Sequence, residues 1–589
     1  MSVKKGVYVC LILFVFLGFC QKNTTHEKPK QNVVLILIDD LSMYGVTAYG
    51  ADRMSSYKGA FENQKIATPE IDKLASEGLM CTNAFAYPLC EATRIALMSG
   101  KYNNRNFLRC KSQHASDVTF GDVFQKEGYV TGMFGKWKQT RGTKEIHGKD
   151  YISEFGWDDY TCYDVVTEGQ RFINPFLVEN GVIKNYQGRK DLDPITGRRW
   201  YGPDICNRNA LRFLEKNQDK PFFLYYPMLL VHDDHKPTPD TKPNAIFDNF
   251  DEANHNRNGH TGDDHKFFPD MHAYMDKLIG NVVAKLDALG LRENTLIIVM
   301  GDNGTKESFS HVLPDGTVYP GRKGGTTDNG LHVPLILNQP GKIPANKNSI
   351  RTYEGLVDVT DIFPTIAQAA DVQIPNSNSL DGISFWPQVL GKKADARETI
   401  YTWYNNNQPY TNKKELLIYA FDKNFKRYDA TDEFPNGRFF DLRKDPLEKE
   451  GDYVVYRRFG LELHSGLDLN LLDKEQSEAF DQLGKVINSY KFNPVTKLDI
   501  TGVKKCKVGA KVQLSSIIYP GTATRKNIVW ESSNPEIASI NKFGELTATT
   551  KGKTTITIYS WDDAYPLSAN EPQTYRKNGI QKSILFEVE

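Results

Sequence analysis

The stretch Val33-Val-Leu-Ile-Leu-Ile38, followed at once by Asp39 and Asp40, decides the fold that this sequence predicts. Six consecutive apolar residues are typical of a central strand that is buried on both faces of a parallel sheet. In doubly wound α/β folds, ligands bind where the strands reach their carboxyl ends. The two aspartates therefore mark a candidate site, although a turn or a helix cap is the better explanation for such a pair standing alone.

Three later segments repeat this arrangement of a short apolar strand followed by polar residues. They are residues 129–134 before Gly135-Lys136-Trp137-Lys138, residues 222–226 before Val231-His232, and residues 295–300 before Gly301-Asp302-Asn303-Gly304. Because the carboxyl ends of parallel strands meet at one edge of a sheet, we expect all these polar side chains to lie close together. The sequence predicts a large doubly wound α/β sheet flanked by helices, with one active edge.

The segment Cys90-Glu-Ala-Thr-Arg-Ile-Ala-Leu-Met-Ser-Gly100 suits a helix that begins at or near the cysteine. Arg94 would lie one turn further along the same side. Free backbone N–H groups, the positive end of the helix dipole and a guanidinium would then converge beside one sulfur atom, which predicts an anion site. Taken alone, the pentapeptide from Cys90 to Arg94 is explained equally well by a buried cysteine that only packs.

This segment resembles the signature of the type I, formylglycine-dependent sulfatases, a family of the alkaline phosphatase superfamily. The signature is Cys-x-Pro-Ser-Arg followed by an apolar turn and Thr-Gly or Ser-Gly, and here Ala92 and Thr93 replace the proline and serine. In that family a maturase oxidises the cysteine to formylglycine, whose gem-diol is the nucleophile and releases sulfate by returning to the aldehyde. The resemblance implies this modification of Cys90, and Ala92 implies a maturase of the oxygen-independent type.

Further segments match the family's motifs in the family's order, between about residues 32 and 490. They are Thr68–Ala75, Gly135-Lys136-Trp137, Lys323 eleven residues before Pro334, Asp361–Thr365, Leu380–Ser384 and Phe440–Pro446. Together they favour a sulfatase site over a cysteine that only packs.

The resemblance also implies a metal site. Asp39, Asp40, Asp302 and Asn303 supply only oxygen ligands, which suits a hard divalent cation rather than zinc or copper. The family implies one Ca²⁺ ion, which would also contact the modified Cys90. The ion would act on the sulfate group as a Lewis acid and as a template.

The remaining polar residues at the predicted edge receive catalytic roles from the same resemblance. Arg94, Lys136 and Lys323 are expected to bind the other sulfate oxygens while the S–O bond breaks. His232 is expected to protonate the leaving sugar oxygen, and His235 is a nearby competitor for this role.

Lys138 stands where the family has a histidine that is thought to remove the proton that lets the hemiacetal collapse. A lysine can do this only when neutral, which requires a pKa lowered by burial or by neighbouring cations such as Arg94 and Lys136. Otherwise another group is the base, with Asp302 a candidate, and Lys138 binds sulfate. The sequence leaves both readings open.

Changes in composition and in the pattern of apolar residues divide the 589 residues into five regions. Lys4 and Lys5 precede an apolar run, which is typical of a signal peptide. The predicted regions are a signal peptide with a lipobox (1–20, lipidated at Cys20), a linker (21–31), a catalytic α/β domain (32–395), a smaller α+β subdomain (396–493) and an all-β sandwich (494–589). The sandwich resembles bacterial Ig-like domains of group 2, and we expect a spacer or a weak carbohydrate-binding or surface-binding module.

The net charge of zero gives no electrostatic reason to expect nucleic acid or an anionic membrane as a partner. Membrane contact would come only through the N-terminal lipid. We expect an exported bacterial protein, periplasmic or attached to the outer membrane or cell surface, that removes sulfate from sulfated sugars of an oligosaccharide or polysaccharide. The alternatives are a phosphate or phosphonate monoester hydrolase and, because of Ala92 and Lys138, a catalytically silent glycan-binding protein.

Two smaller expectations concern aromatic residues and cysteines. Phe155-Gly156-Trp157-Asp158-Asp159-Tyr160 could stack on a sugar or form a packed cluster. Outside the signal region and Cys90, five cysteines remain, an odd number that leaves at least one without a partner in the chain.

Overall fold

The computed structural model of the chain describes residues 30–57, 59–106, 113, 115–139, 150–166, 169–251, 265–375, 379–405, 416–456, 461–560 and 580–589. The predicted signal peptide and nearly all of the predicted linker lie outside these residues. Within the described part of the chain, no helix is long and apolar enough to cross a membrane.

A ten-stranded mixed sheet forms the centre of the catalytic region. Its strands, in spatial order, are Thr352–Tyr353, Leu79–Cys81, Leu335–Asn338, Thr295–Gly301, Asn32–Ile38, Phe222–Pro227, Val130–Lys136, Asp159–Tyr163, Phe176–Glu179 and Val182–Asn185. The strands from Thr295–Gly301 to Asp159–Tyr163 run parallel, and antiparallel pairs flank them. The predicted doubly wound mixed sheet is confirmed.

The strand Asn32–Ile38 lies between Phe222–Pro227 and Thr295–Gly301, parallel to both. Val33, Leu35 and Leu37 pack into the apolar core on one face of the sheet, and the alternate residues of the strand pack into the core on the other. Both faces are covered, which is why the sequence shows an unbroken apolar run instead of alternation. The three strands deliver their polar residues to the same edge.

Helices cover both faces of the sheet. Cys90–Ser99, Phe120–Lys126 and Ile362–Ala369 contribute to one core, and Pro69–Ser76, Gly202–Lys216 and Phe268–Ala288 contribute to the other. The shorter α-helices are Asn103–Asn106, Ala245–Asp248, Asp328–Leu331 and Trp386–Val389, and the 3₁₀ turns are Met43–Gly45, Thr47–Tyr49, Tyr151–Phe155, His265–Phe267, Arg292–Asn294 and Val359–Asp361. Small sheets join Val318–Pro320, Phe309–Val312, Arg53–Ser56 and Gln64–Lys65, and pair Ala84–Phe85 with Val357–Asp358.

The smaller subdomain is an antiparallel sheet packed against one helix, as expected. Its strands are Ile400–Asn405, Leu416–Phe421, Phe425–Tyr428 and Arg438–Asp441, with a separate hairpin of Tyr453–Tyr456 and Leu461–His464. The helix Lys474–Ser489 begins after Asp473, whose side chain accepts a hydrogen bond from the backbone N–H of Gln476. It buries Leu483 and Ile487, which lie four residues apart on one face of the helix.

The C-terminal region is all-β, as predicted. Its strands are Lys497–Thr501, Lys505–Cys506, Lys511–Gln513, Ser515–Tyr519, Ile528–Ser532, Ala538–Ile540, Glu545–Ala548, Gly552–Ser560 and Gln581–Val588. Lys505–Cys506 pairs in parallel with Gln581–Val588, and the neighbouring strands Lys511–Gln513 and Ser515–Tyr519 belong to different sheets.

This all-β domain is docked on the catalytic domain through paired polar groups. Lys542 Nζ donates to Asp122 Oδ1 at 2.8 Å and to the carbonyl oxygen of Glu154 at 2.6 Å. Asn527 Nδ2 donates to Asp117 Oδ1 at 2.9 Å. Asp117 and Asp122 are buried, so these contacts satisfy carboxylates that would otherwise lack solvation.

The smaller expectations are also resolved. Phe155 and Trp157 are buried, and the indole of Trp157 stacks on Tyr225 with ring centroids 5.8 Å apart, so the aromatic segment is a packed cluster and is not available to a sugar. Among the described cysteines, Cys81, Cys90, Cys162, Cys206 and Cys506 are free thiols.

Candidate active site

The helix Cys90–Ser99 positions the predicted nucleophile. It begins at the cysteine, all its residues are buried, and it ends at Gly100, whose φ of 64° is left-handed. Thr93 Oγ1 donates to the carbonyl oxygen of Asp302 at 2.6 Å and accepts from the backbone N–H of Tyr87 at 3.0 Å. These bonds fix the first turn of the helix against the strand end that carries Asp302.

Four oxygen-bearing residues converge beside this helix from two adjacent strand ends. The backbone N–H of Asp40 donates to Asp302 Oδ1 at 3.0 Å, and Asn303 Nδ2 donates to Asp40 Oδ1 at 2.8 Å. Asp40 has a left-handed φ of 59°, a conformation that costs free energy and is common at functional sites. Single ligand atoms of Asp39, Cys90 and Asp302 all lie within 4.8 Å of one another.

Three cations, of which Arg94 and Lys136 are buried and Lys323 is partly buried, neutralise these carboxylates, each paired with a different aspartate. The pairs are Lys136 Nζ with Asp39 Oδ2 at 2.5 Å, Arg94 Nη2 with Asp302 Oδ2 at 2.8 Å, and Lys323 Nζ with Asp40 Oδ2 at 2.5 Å. Lys136 Nζ also lies 3.5 Å from Cys90 Sγ. The nucleophile position is therefore surrounded by positive charge, as an anionic substrate group requires.

The pKa values of the two fully buried carboxyl groups, Asp39 and Asp302, are shifted in opposite directions. Burial alone would raise the pKa of Asp39, but the charges of Lys136, His232 and Arg94 outweigh it and hold that pKa well below its usual range. Burial and the charge of Asp39 raise the pKa of Asp302. Two carboxyl groups this close behave as one coupled site.

The donor set fits a hard cation. Asp39 Oδ1 and Asn303 Oδ1 are buried and accept no hydrogen bond from any described residue. Buried oxygens without a partner are rare in native proteins and need an explanation. A divalent ion with all-oxygen coordination, such as calcium, would satisfy both atoms together with Asp40 and Asp302.

His232 lies at the rim of this cluster. Its Nε2 is 3.8 Å from Asp40 Oδ2, and its Nδ1 is 2.7 Å from Asp233 Oδ1. Burial and the charges of Lys136 and Lys323 lower the pKa of His232. His235, the sequence competitor, instead packs among the rings of His265, Phe268 and Phe309.

Lys138 contacts a carboxylate that the sequence analysis did not single out. Its Nζ lies 3.6 Å from Glu91 Oε1, and Cys90 Sγ donates to Glu91 Oε2 at 3.1 Å. Burial would lower the pKa of Lys138, but the charges of Glu91 and Cys90 outweigh burial and raise it. Of the two readings that the sequence leaves open, this raised pKa favours Lys138 as a charged group over Lys138 as a neutral base.

A second missed group is Arg171, which donates to Asp164 through Nε at 3.1 Å and Nη2 at 2.7 Å. Its Nη1 lies 3.4 Å from Nδ1 of His232. Lys306 donates to Asp233 at 2.9 Å on the other side of the histidine. No sequence motif marks Arg171 or Lys306, whereas the position of Glu91 next to the cysteine was a usable signal.

Comparison with known proteins identifies the family of this chain. Residues 31–372 match the sequence profile of the sulfatase family. The chain belongs to the sulfatase family. It is therefore a sulfuric ester hydrolase. Residues 323–471 of this sulfatase match the C-terminal region of N-sulphoglucosamine sulphohydrolase, and residues 494–564 match the bacterial Ig-like domain of group 2.

Relatives of this sulfatase include enzymes with different substrates. Human arylsulfatase D is 24% identical over 67% of this chain and 74% of its own. N-acetylgalactosamine-6-O-sulfatase of Bacteroides thetaiotaomicron is 26% identical over 73% of this chain and 91% of its own.

Solved structures share the fold. The PsFucS1 sulfatase of a Pseudoalteromonas species has a TM-score of 0.54 at 21% identity, covering 78% of this chain and 90% of its own. A protein solved with its substrate D-glucosamine-2-N,6-O-disulfate has a TM-score of 0.57 at 18% identity, covering 78% and 97%.

Proposed function

We propose that this sulfatase removes sulfate from sulfated sugars of a polysaccharide or glycan, with formylglycine formed from Cys90 and one bound Ca²⁺. The observation that carries the proposal is the position of Cys90 at the start of a buried helix, with Lys136 Nζ at 3.5 Å and an oxygen-rich cluster beside it. The sugar class is supported by the relative that is named an N-acetylgalactosamine-6-O-sulfatase and matches over 91% of its length.

The thiol as such is a poor nucleophile here. Burial and Glu91 raise the pKa of Cys90 to about 11, so the thiolate is scarce at neutral pH. Formylglycine at this position would supply a hydroxyl nucleophile that is regenerated as the aldehyde, and calcium held by Asp39, Asp40, Asp302 and Asn303 would supply positive charge. The chain provides what both groups need: a cysteine at the start of the helix for formylglycine, and four oxygen-bearing side chains for calcium.

The chain's own cations orient the sulfate group. Arg94, Lys136 and Lys323 converge on the region beside Cys90, and each can exchange part of its carboxylate contact for a sulfate oxygen. Lys138 joins them as a charged group, because Glu91 raises its pKa. His232, at the rim, is the proton donor to the leaving sugar oxygen, held in orientation by Asp233. Its pKa is lowered in the chain alone, and the negative charge of a bound sulfate ester would raise it towards the protonated form.

Maturation and location belong to the same proposal. Ala92 in the cysteine motif supports an oxygen-independent maturase as the partner that modifies Cys90. The apolar N-terminal segment that ends at Cys20 supports export, followed by lipid attachment at the outer membrane or cell surface.

Two measurements on protein from its native host test the proposal. The peptide that contains Cys90 should be about 18 Da lighter than its unmodified mass, the difference between a thiol and an aldehyde carbon. The same preparation should release sulfate from 6-O-sulfated N-acetylgalactosamine or another sulfated sugar of a panel, and Cys90→Ala should abolish this release. Hydrolysis of phosphate or phosphonate monoesters in preference to every sulfate ester would contradict the substrate, and an unmodified Cys90 with sugar binding but no turnover would contradict the mechanism.

A further inference from the structure

A cavity of about 400 Å³ opens where the catalytic domain, the smaller subdomain and the Ig-like domain meet. Its lining comes from all three domains and includes Asn104, Trp403, Asp429, Tyr490, Phe492 and Arg525. The volume falls within the range of about 300–1,000 Å³ that is typical of small-molecule sites.

The cavity is separate from the catalytic centre. Asn104 lies just beyond the carboxyl end of the helix whose amino end carries Cys90, and a helix of this length spans ~15 Å. The lining shares no residue with the cations and carboxylates of the active site. A molecule bound there would leave the active site open.

Aromatic rings form much of the wall. Tyr401 is buried and stacks on Tyr490, with ring centroids 4.4 Å apart and an interplanar angle of 21°. Trp403 and Tyr490 are partly exposed, and Phe492 is 59% exposed although it is a large apolar residue. Tyr490 turns one face to Tyr401, and the guanidinium of Arg525 lies 5.6 Å from the centroid of the Phe492 ring. Trp403 and the uncovered sides of Tyr490 and Phe492 are therefore the flat, apolar surfaces that a ring-shaped ligand can contact.

Polar groups in the same cavity select for hydroxyl groups. Asn104 is only 6% exposed, its Nδ2 donates to the carbonyl oxygen of Tyr490 at 3.2 Å, and its Oδ1 accepts no hydrogen bond from any described residue. The carboxylate of Asp429 also lines the cavity, and the exposed Lys491 and the buried Arg525 add positive charge. Two kinds of oxygen acceptor beside aromatic faces match the hydroxyl groups and the apolar face of one sugar ring.

We propose that this cavity is a carbohydrate-binding site, distinct from the active site, that holds one sugar ring against Trp403, Tyr490 and Phe492 through hydrogen bonds to Asn104 and Asp429. Binding of a sugar at this site does not depend on the proposed function. The further claim that this sugar is part of the polymer being desulfated rests on the proposed function. A second point of attachment would keep a long substrate bound between turnovers, through the raised effective concentration of a tethered chain.

Saturation-transfer NMR and calorimetry on the full chain test the site. The parent protein would carry Cys90→Ala and Lys136→Met, which disable the active site. The probes are glucose, galactose, mannose, fucose, N-acetylglucosamine, N-acetylgalactosamine and glucuronic acid, each without and with an O-sulfate. We expect at least one probe to bind, and Trp403→Ala or Asn104→Leu to weaken it about ten-fold or more, equivalent to about 1.4 kcal/mol.

Matched variants separate recognition from folding. Trp403→Phe keeps an aromatic face and should retain most of the affinity, and the denaturant midpoint of each variant should show that it is fully folded under the conditions of the binding assay. If sulfated probes bind better, Lys491→Gln should remove that preference; if both forms bind equally, the hydroxyl groups suffice, and either result supports the site. Failure of every probe to bind, or binding that Trp403→Ala and Asn104→Leu leave unchanged, overturns it. Because the parent is inactive by design, a failure of sulfate release in the wild type would count against the proposed function alone.

Discussion

Lys136 and Asp39 form an ion pair with an Nζ–Oδ2 distance of 2.5 Å, and both side chains are completely buried. Removing two such charges from water costs several kcal/mol per ion, and their mutual attraction offsets this only with further partners. Here the partners are Arg94, 3.7 Å from the same Asp39 oxygen, and the cysteine sulfur. A cluster of this cost is typical of a site that is shaped for a charged ligand.

Lys136→Met should lower kcat/KM for sulfate esters by about 10²–10³-fold, the usual effect of removing one group that stabilises developing negative charge. The measurement is steady-state sulfate release by protein whose Cys90 conversion has been confirmed by mass. Lys444→Met is the matched control, because that lysine side chain is 76% exposed and far from the cluster in sequence and fold. Equal losses in both variants would show that the effect is not local.

Lys138 should act as a fixed positive charge. Because its pKa lies above its usual value, it is protonated throughout the neutral range, and its loss of a proton should produce no limb in the pH–rate profile between about pH 6 and 9. Lys138→Arg keeps the charge and should retain far more activity than Lys138→Met. If arginine and methionine inactivate the enzyme equally, a neutral lysine acting as a base becomes the better explanation.

Much of the fold and of the site could be predicted because the signals are local. The apolar run from Val33 to Ile38 and the polar residues after each strand fix a parallel sheet with one active edge, since carboxyl ends of parallel strands must meet. The helix bounds are marked in the sequence as well, because Pro88 lies just before Cys90 and Gly100 follows the last helical residue.

What could not be predicted depends on contacts between residues far apart in the chain. Nothing near Arg171 shows that it would lie beside His232, and nothing near Lys542 shows that it would reach Asp122. The charge state of Lys138 likewise depends on Glu91, which is brought to it only by the packing of the helix against the strand end. Local sequence patterns predict the helices, the strands and the edge of the sheet where the site lies. The partners of individual side chains depend on how these elements pack together.

Asp204 should make stability depend on pH in the mildly acidic range. Burial raises the pKa of Asp204 to about 6, so the folded state binds a proton more tightly than the unfolded state, whose carboxyl has a pKa of about 3.9. The protonated form therefore contributes stability below about pH 4, and this is lost as the pH rises towards 6.

The test compares unfolding free energies at a series of pH values. Asp204→Asn stays neutral, so it should gain about 1–3 kcal/mol relative to wild type between about pH 4 and 7. Tyr274 donates to Asp204 Oδ1 at 2.7 Å and lowers the carboxyl pKa, so Tyr274→Phe should move the window to higher pH. A difference between Asp204→Asn and wild type that is constant with pH would contradict the argument.

Lys542→Met should destabilise the whole chain, because it leaves the buried carboxylate of Asp122 without its charged partner across the domain interface. The expected loss is about 1–3 kcal/mol, the cost of an unsatisfied buried group. Lys553→Met removes a lysine of the same domain whose side chain is 58% exposed, and it should be nearly neutral. Chemical denaturation measures both, and an equal effect of the two substitutions would argue that the Ig-like domain is not docked in solution.

Calcium should stabilise the folded protein through the oxygen cluster, independently of turnover. After treatment with a chelator, added Ca²⁺ should raise the melting temperature, since a ligand at about 100 times its Kd adds about 2.7 kcal/mol to the free energy of unfolding. Mg²⁺ should stabilise less, because it prefers a smaller and stricter octahedral site. Asn303→Leu removes one of the two oxygens of this cluster that are buried and lack a partner among the described residues, and it should abolish most of this response. Asn104→Leu removes a comparable buried oxygen outside the cluster and should respond to Ca²⁺ like the wild type. A full calcium response in Asn303→Leu would place the ion elsewhere.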